Sequence, residues 1–123
     1  MNKTLTFHYG GLIHAGAHDV RQRRGGAISF KLERDYKPVA HRVSLSQTVV
    51  GRGEAVIVDL NDDGVSILAS RPSLGPDQSF VSGSSYAAVG LQRLVKGSVI
   101  TLDIDQTGPG ASALTVELDL EEI

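Results

Sequence analysis

The sequence contains no cysteine, no tryptophan and few other aromatic residues, with three Phe and three Tyr among 123 residues. Without cysteine the chain has no disulfide scaffold, no iron–sulfur or thiolate zinc site and no cysteine nucleophile. The few aromatics argue against a stacking platform for sugars or single-stranded nucleic acid. No apolar run approaches the ~20 residues that a membrane-spanning helix needs, so we expect no membrane partner. A single domain of this length can bury a core that requires neither metal nor disulfide.

The net charge of −2 conceals an uneven distribution along the chain. Residues 1–53 carry nine Lys and Arg against three acids, a net charge of +6, whereas residues 54–123 carry three against eleven, a net charge of −8. A fold that separates these halves would have a basic and an acidic face suited to electrostatic docking. An antiparallel fold that interleaves them would cancel the two fields, and the sequence leaves both arrangements open.

Apolar residues recur mainly at every second position, which is the period of a β-strand. In the last such stretch, the alternation places Leu114, Val116, Leu118 and Leu120 on one face. The run at 55–60 is apolar on both faces and predicts a central strand. The strands are predicted in seven stretches: 5–9, 28–32, 43–49, 55–60, 65–68, 99–104 and 114–120.

Turn signals separate these stretches. Asn-Asp-Asp-Gly at 61–64 predicts a tight hairpin with Gly64 at positive φ, and 107–110 predicts a broader turn. Prolines exclude a central strand at 71–76. The glycine-rich stretch 10–26 indicates an arm or long loop, and 90–96 could form a single helical turn closed by Gly97.

These features predict an all-β protein, an antiparallel, jelly-roll-like β-sandwich of about seven or eight strands with an extended N-terminal arm. We divide the chain into residues 1–25, an N-terminal strand and Gly/Arg-rich arm or loop, and residues 26–123, the sandwich domain.

No motif amounts to a complete metal or catalytic site. Residues 59–64 (DLNDDG) match the first half of a calcium loop, but Ser70 stands where the final glutamate belongs, so a hairpin turn is the better interpretation. His14 and His18 have a zinc-like spacing, but Ala15 replaces the glutamate of a zinc-protease motif. The serines of 82–85 do not form a nucleophile elbow. We therefore expect no catalytic residues, no cofactor and no metal.

Two further groups of residues have candidate roles. Asp103 and Asp105 alternate on one strand face and could pair as general acid and base, although such residues are more often the solvated side of a sheet. The basic cluster Arg21, Arg23 and Arg24 could grip phosphates or dock on an acidic protein surface, with a solvated loop as the alternative. The acidic balance of the chain disfavours nucleic acid, so these arginines are our candidate contacts with a protein partner.

Four segments carry a resemblance to a known family. They are 55–67 (AVIVDLNDDGVSI), 71–74 (RPSL), 96–108 (KGSVITLDIDQTG) and 113–116 (ALTV). Together, over roughly residues 26–120, the chain resembles a β-rich domain of bacteriophage virion proteins, found in tail fibres and in other tail and capsid-surface proteins.

The resemblance implies a structural or attachment role in the virion and no enzymatic activity. Because only about 25 residues precede the domain, a capsid decoration protein is favoured over a fibre tip. The implied partners are a major capsid or tail protein and further copies of the chain, with a trimer as the analogous oligomer. The alternative is a tail-fibre or receptor-binding adhesin module that recognises a glycan on the host surface.

Overall fold

The computed structural model describes residues 2–12, 29–86 and 93–123. Within these residues there is no helix, and nine strands form two antiparallel sheets. The strands are β1 (Asn2–Leu12), β2 (Ser29–Lys31), β3 (Tyr36–Gln47), β4 (Val56–Asp62), β5 (Val65–Ser66), β6 (Ser73–Leu74), β7 (Phe80–Gly83), β8 (Val99–Gln106) and β9 (Ser112–Glu122). The predicted all-β antiparallel sandwich is confirmed.

The strand order is that of a jelly roll. Sheet A has the order β1-β9-β3-β7, and sheet B has the order β2-β8-β4-β5, with β6 also paired to β4. The early strands pair with the late ones in reverse order, β1 with β9, β2 with β8, β3 with β7 and β4 with β5, as in one long hairpin. Pairing of β3 with β9 and of β4 with β8 then rolls this hairpin into two sheets, which is the arrangement of jelly-roll folds.

The hydrophobic core contains side chains from both sheets. In β9 the apolar side chains Leu114, Val116, Leu118 and Leu120 are at most 1% exposed, as the alternation predicts. At one side of the sandwich, the Phe7 ring of β1 meets the Phe30 ring of β2 edge to face, with centroids 5.0 Å apart. This contact joins the outermost strand of sheet A to the outermost strand of sheet B.

β1 is part of the sandwich. It pairs with β9 without interruption from Asn2 to Tyr9, and its inward side chains Leu5 and Phe7 are almost completely buried. The division at residue 26 assigns this strand to the N-terminal segment, whereas its alternating apolar residues place it in sheet A. The rest of the predicted arm, residues 13–25, lies outside the described residues, and the arm stays a prediction.

The hairpin between β4 and β5 has the predicted geometry. Asn61 pairs with Ser66 and Asp62 with Val65, so Asp63 and Gly64 form a two-residue loop. Both have positive φ, 50° at Asp63 and 89° at Gly64, as a type I′ turn requires.

One local expectation fails, and one strand was not predicted. Leu94 forms an extended bridge with Tyr36 instead of belonging to a helical turn, because its backbone N–H and C=O both bond to Tyr36 at 2.7 and 2.9 Å; residues 90–92 of that prediction lie outside the described part. The short strand β7 was not predicted. Only Phe80 and Val81 in it are apolar, so its sequence has little strand pattern.

The topology also shows how the basic first half and the acidic second half of the sequence are arranged in space. Basic side chains of the first half pair with acids of β9: Arg42 with Glu117 and Asp119, Lys37 with Glu121 and Arg34 with Glu122. In the described residues the halves are therefore interleaved, because a jelly roll places early strands beside late ones.

Candidate interaction surface

The outer face of sheet A is a polar surface built by strict alternation along its strands. The side chains opposite the core are Thr4, Thr6 and His8 of β1, Thr115, Glu117 and Asp119 of β9, Arg42 and Ser44 of β3, and Phe80 and Ser82 of β7. They form rows across the sheet, since Thr6 pairs with Glu117, Glu117 with Arg42 and Arg42 with Ser82. We refer to these ten residues as the A face.

An ion-pair network crosses the A face. The Arg42 guanidinium donates two hydrogen bonds to Asp119, with Nη1–Oδ2 at 2.8 Å and Nη2–Oδ1 at 3.0 Å, and a third to Glu117 at 3.2 Å. Thr4 donates to the same Asp119 carboxylate at 2.7 Å. Arg42 and then Thr4 lower the pKa of Asp119 below its ordinary value of 3.8. The network therefore fixes the charged side chains of three neighbouring strands in one geometry.

The next row of the A face contains no Asp, Glu, Lys or Arg. His8 Nδ1 lies 3.1 Å from the Thr115 hydroxyl, and Ser44 separates this pair from Phe80. Phe80 is 57% exposed. A ligand at this row could hydrogen-bond to the hydroxyl groups and make apolar contact with the aromatic ring at the same time.

Sheet B carries an acidic cluster on its outer face. Asp59 and Asp103 are direct cross-strand partners, and Arg71 Nε lies 3.4 Å from Asp59 and 3.1 Å from Asp105. The Asn61 side-chain amide donates to Asp103. Two carboxylates opposite each other repel, and the arginine and amide offset that repulsion.

Asp59 is the buried member of the acidic cluster. Its side chain is 4% exposed, and Oδ1 accepts hydrogen bonds from the Ser66 hydroxyl at 2.7 Å and from the Leu60 N–H at 2.9 Å. Burial raises the pKa of Asp59, and the Ser66 bond opposes this shift. Asp103 and Asp105, which could have paired as acid and base, thus belong to a cluster centred on Asp59. The sequence signal for that burial was the position of Asp59 inside an apolar strand.

The calcium-like segment 59–64 does not bring its carboxylates together. Asp59 lies on the outer face, whereas the Asp63 carboxylate accepts the Val99 N–H at 2.9 Å. Asp62 Oδ1 is buried without a hydrogen-bond partner; burial raises the pKa of Asp62, and the nearby Ser98 hydroxyl opposes the shift. Across the described ranges, no group of three or more His, Asp or Glu residues is arranged to hold a metal ion.

A small cavity of about 150 Å³ lies beside β7. It is lined by His41, Ser70, Pro72, Val81, Ser82, Gly83, Ser84 and Ser85. His41 is 5% exposed, its Nδ1 is hydrogen-bonded to the Tyr86 hydroxyl at 3.0 Å, and the two rings meet edge to face. Burial lowers the pKa of His41, which keeps the imidazole neutral at physiological pH.

The cavity explains two features that sequence reasoning did not connect. His41 has a role as a buried polar group, and the serine-rich segment 82–85 is the wall facing it. A β-carbon at Gly83 would lie 2.9 Å from His41 Nε2, so only glycine fits there. The cavity is smaller than the ~300 Å³ at which ligand pockets typically begin.

A wider groove lies at one end of the sandwich, with a volume of about 510 Å³ and a lining of Glu33, Arg34, Asp35, Lys96 and Ile123. Both of its carboxylates are engaged within the fold. Glu33 accepts hydrogen bonds from Lys3 and Tyr36, which lower its pKa to about 2, and Asp35 accepts from Arg93 at 2.6 Å. The carboxylates of the groove are thus held by ion pairs and hydrogen bonds within the fold.

The predicted partner contacts Arg21, Arg23 and Arg24 lie outside the described residues, as do His14 and His18. They stay predictions. In the described ranges there is no helix that is long and apolar enough to cross a membrane.

The chain was compared with protein-family models and with curated protein sequences. No protein-family model matches the chain, and no curated protein matches it significantly in sequence.

Proposed function

We propose that the chain is a non-enzymatic bacteriophage virion protein on the particle surface, a capsid decoration protein that binds neighbouring subunits. The observation that carries the proposal is the jelly-roll strand order. Jelly rolls recur in viral capsid domains, and the sequence resemblance to phage virion domains points in the same direction. Because one fold serves many functions, the proposal rests on this analogy together with the surfaces below.

Two surfaces suit a protein that works by association. The A face presents an ordered polar surface in which Arg42 and Asp119 are already held in place, so little side-chain freedom is lost on binding. The predicted contacts Arg21, Arg23 and Arg24 would add attraction to an acidic partner.

The experiment is to locate the chain in particles. Virions made with an epitope tag on this chain would be purified, assayed for the tag and imaged with a gold-labelled antibody. A regular array on the shell supports decoration, and label at the tail tip supports attachment. Absence of the chain from purified particles would overturn the virion role.

The arginine cluster gives a second test. Charge reversal of Arg21, Arg23 and Arg24 to Glu should reduce incorporation into particles while the circular dichroism spectrum of the free protein stays the same. Charge reversal at Arg34, which pairs with Glu122 at one end of the sandwich, is the control and should leave incorporation close to that of the unaltered chain. Equal incorporation of both variants would remove the cluster from the proposal.

The second candidate is a glycan-binding adhesin module, and Phe80 is the observation that favours it. This ring is 57% exposed and lies on the A face beside Ser44, Ser82 and Arg42. Sugar recognition commonly combines an aromatic ring with hydrogen-bonding groups. A glycan array with a reproducible hit that Phe80→Ala abolishes would favour this function, and no hit would count against it.

A further inference from the structure

β1 is an unusually long strand at the edge of a sheet. It runs for eleven residues, Asn2–Leu12, and β9 is its only partner among the described strands. The other described edges are much shorter: four residues in β7, three in β2, and two each in β5 and β6. A long edge exposes a row of backbone N–H and C=O groups that can pair with another strand.

Between Thr4 and Tyr9, β1 has none of the usual devices that block such pairing. The strand contains no proline, and its register with β9 is regular from Asn2 to Tyr9, with an irregularity only beyond Tyr9. Lys3 is its single formal charge, and that ammonium is engaged by Glu33 at 2.8 Å. Short edges, charges, prolines and bulges are the means by which proteins protect an edge.

The A-face side chains of β1 are more exposed than those of the central strand β9. Thr4, Thr6 and His8 are exposed, whereas Thr115 on the same face of the central strand β9 is only half-buried. The difference follows from the number of flanking strands, because a side chain on an edge strand has a neighbour on one side only.

We propose that β1 pairs antiparallel with β1 of a second copy of this chain, about a two-fold axis at Thr6. Sheet A of one copy would then continue into sheet A of the other. Thr6 would face Thr6 of the second copy, Thr4 would face its His8, and Leu5 would face its Phe7. This register keeps Thr4, Thr6 and His8 on the outer face and Leu5 and Phe7 on the core face, and it forms the self-complementary contact that two-fold symmetry demands.

The distribution of charge along β1 is compatible with a second copy of the chain as the partner at this edge. In this register the two Lys3 residues lie six positions apart along the strands, about 20 Å at ~3.4 Å per residue. That separation exceeds the Debye length of ~8 Å at physiological ionic strength, so no like charges oppose each other. The pairs that do face each other, Thr with Thr and Thr with His, are polar pairs suited to neighbouring strands. The inference does not depend on the virion role.

The first experiment measures the mass of the protein in solution to test whether it dimerises. Sedimentation equilibrium of the full chain should show a monomer–dimer equilibrium at concentrations up to about 100 μM, since strand contacts of this size are weak. Thr6→Lys places two ammonium groups opposite each other and should weaken dimerisation about fivefold or more. In the monomer this lysine would face Glu117, so we expect the fold to be retained. Mixing Thr6→Lys with Thr6→Glu should restore a mixed dimer. Because Thr6→Glu places a carboxylate opposite Glu117 in its own monomer, its fold is verified before mixing.

Ser44→Lys is the matched control. Ser44 lies on the same face, but β9 separates its strand from the β1 edge, so this variant should dimerise like the unaltered chain. Circular dichroism of all variants verifies the fold.

The second experiment tests the register and uses the absence of cysteine from the chain. In a glutathione redox buffer, Thr6→Cys should form a disulfide-linked dimer, and a mixture of Thr4→Cys with His8→Cys should form a mixed one. Neither Thr4→Cys nor His8→Cys alone should cross-link. In a dimer of either variant the two introduced cysteines would lie about 13 Å apart, which is too far for a disulfide. Ser44→Cys should not cross-link either.

Three results would overturn the proposal. The first is a chain that stays monomeric throughout the concentration range, and the second is a trimer or larger species. The third is a dimer in which Thr6→Cys cross-links no faster than Ser44→Cys.

Discussion

Arg42 of β3 and Asp119 of β9 face each other as a two-pronged ion pair, with N–O distances of 2.8 and 3.0 Å. Thr4 of β1 donates to the same carboxylate, so one aspartate connects three strands of sheet A. Both charged side chains are about one-third exposed, and this exposure limits what the pair contributes to stability.

A double-mutant cycle tests that contribution. Arg42→Gln and Asp119→Asn should each lower the free energy of unfolding by about 1 kcal/mol or less, with a coupling of about 0.5 kcal/mol between them. Urea unfolding supplies the measurement. Arg34→Gln, which removes a single-bonded pair with Glu122 whose arginine is more exposed, should have a smaller effect. Strictly additive effects of the two changes would show that the pair contributes nothing.

His41 predicts how stability depends on pH. Its pKa is lowered in the folded protein by burial, so below its ordinary value of 6.5 the unfolded chain binds the proton more readily than the folded one. Stability should therefore fall as pH decreases from about 7 to about 5. His41→Gln should flatten this dependence, measured as urea midpoints across the pH range.

Thr6→Gln is the control for that series, because Thr6 lies on the exposed face of β1 and carries no titratable group, so the slope should stay as it is. The raised pKa values of Asp59 and Asp62 act in the opposite direction, and both remain in the His41 variant. An unchanged slope in His41→Gln would refute the role assigned to His41.

Gly83 should tolerate no side chain while His41 is present. The β-carbon of Gly83→Ala would lie 2.9 Å from His41 Nε2 and would push the ring away from Tyr86. We expect a loss of about 1–3 kcal/mol in unfolding free energy. In a His41→Ala background the same change should cost much less, because the space is then open. An equal cost in both backgrounds would locate the strain elsewhere.

Asp59 should be replaceable by asparagine but not by alanine. Asparagine keeps an oxygen for the Ser66 and Leu60 donors, whereas Asp59→Ala leaves them unsatisfied and should cost about 1–3 kcal/mol. Because the folded-state pKa of Asp59 is raised, its ionised form weakens the fold as pH rises through that value. Asp59→Asn should therefore be more favourable, relative to the unaltered protein, at pH 7 than at pH 3. The reverse order in thermal melts would contradict this account.

The sequence was informative where local rules decide the structure. The alternation in β9 correctly placed Leu114 to Leu120 towards the core, and Asp63-Gly64 formed the hairpin loop that two positive-φ positions require. Both results follow from neighbours in the chain, since side-chain alternation and turn geometry need no distant contact.

The polar clusters could not be predicted in the same way. His41 is 45 positions from Tyr86, and Asp59 meets Asp103 only because β4 pairs with β8. Their neighbours are set by strand order, and no short-range pattern in the sequence reveals which strands will pair. The β7 strand escaped prediction for the same reason, since pairing with β3 rather than its own residues makes it a strand.

The position of β9 has a consequence for how the molecule folds. β9 lies between β1 and β3, so sheet A has a gap at its centre until residues 112–122 have left the ribosome. Joining Asn2 to Glu121 closes a very long loop, and such distant pairings slow folding. During synthesis β1 and β3 must therefore wait without their shared neighbour, and that interval is when the nascent chain most needs protection from aggregation.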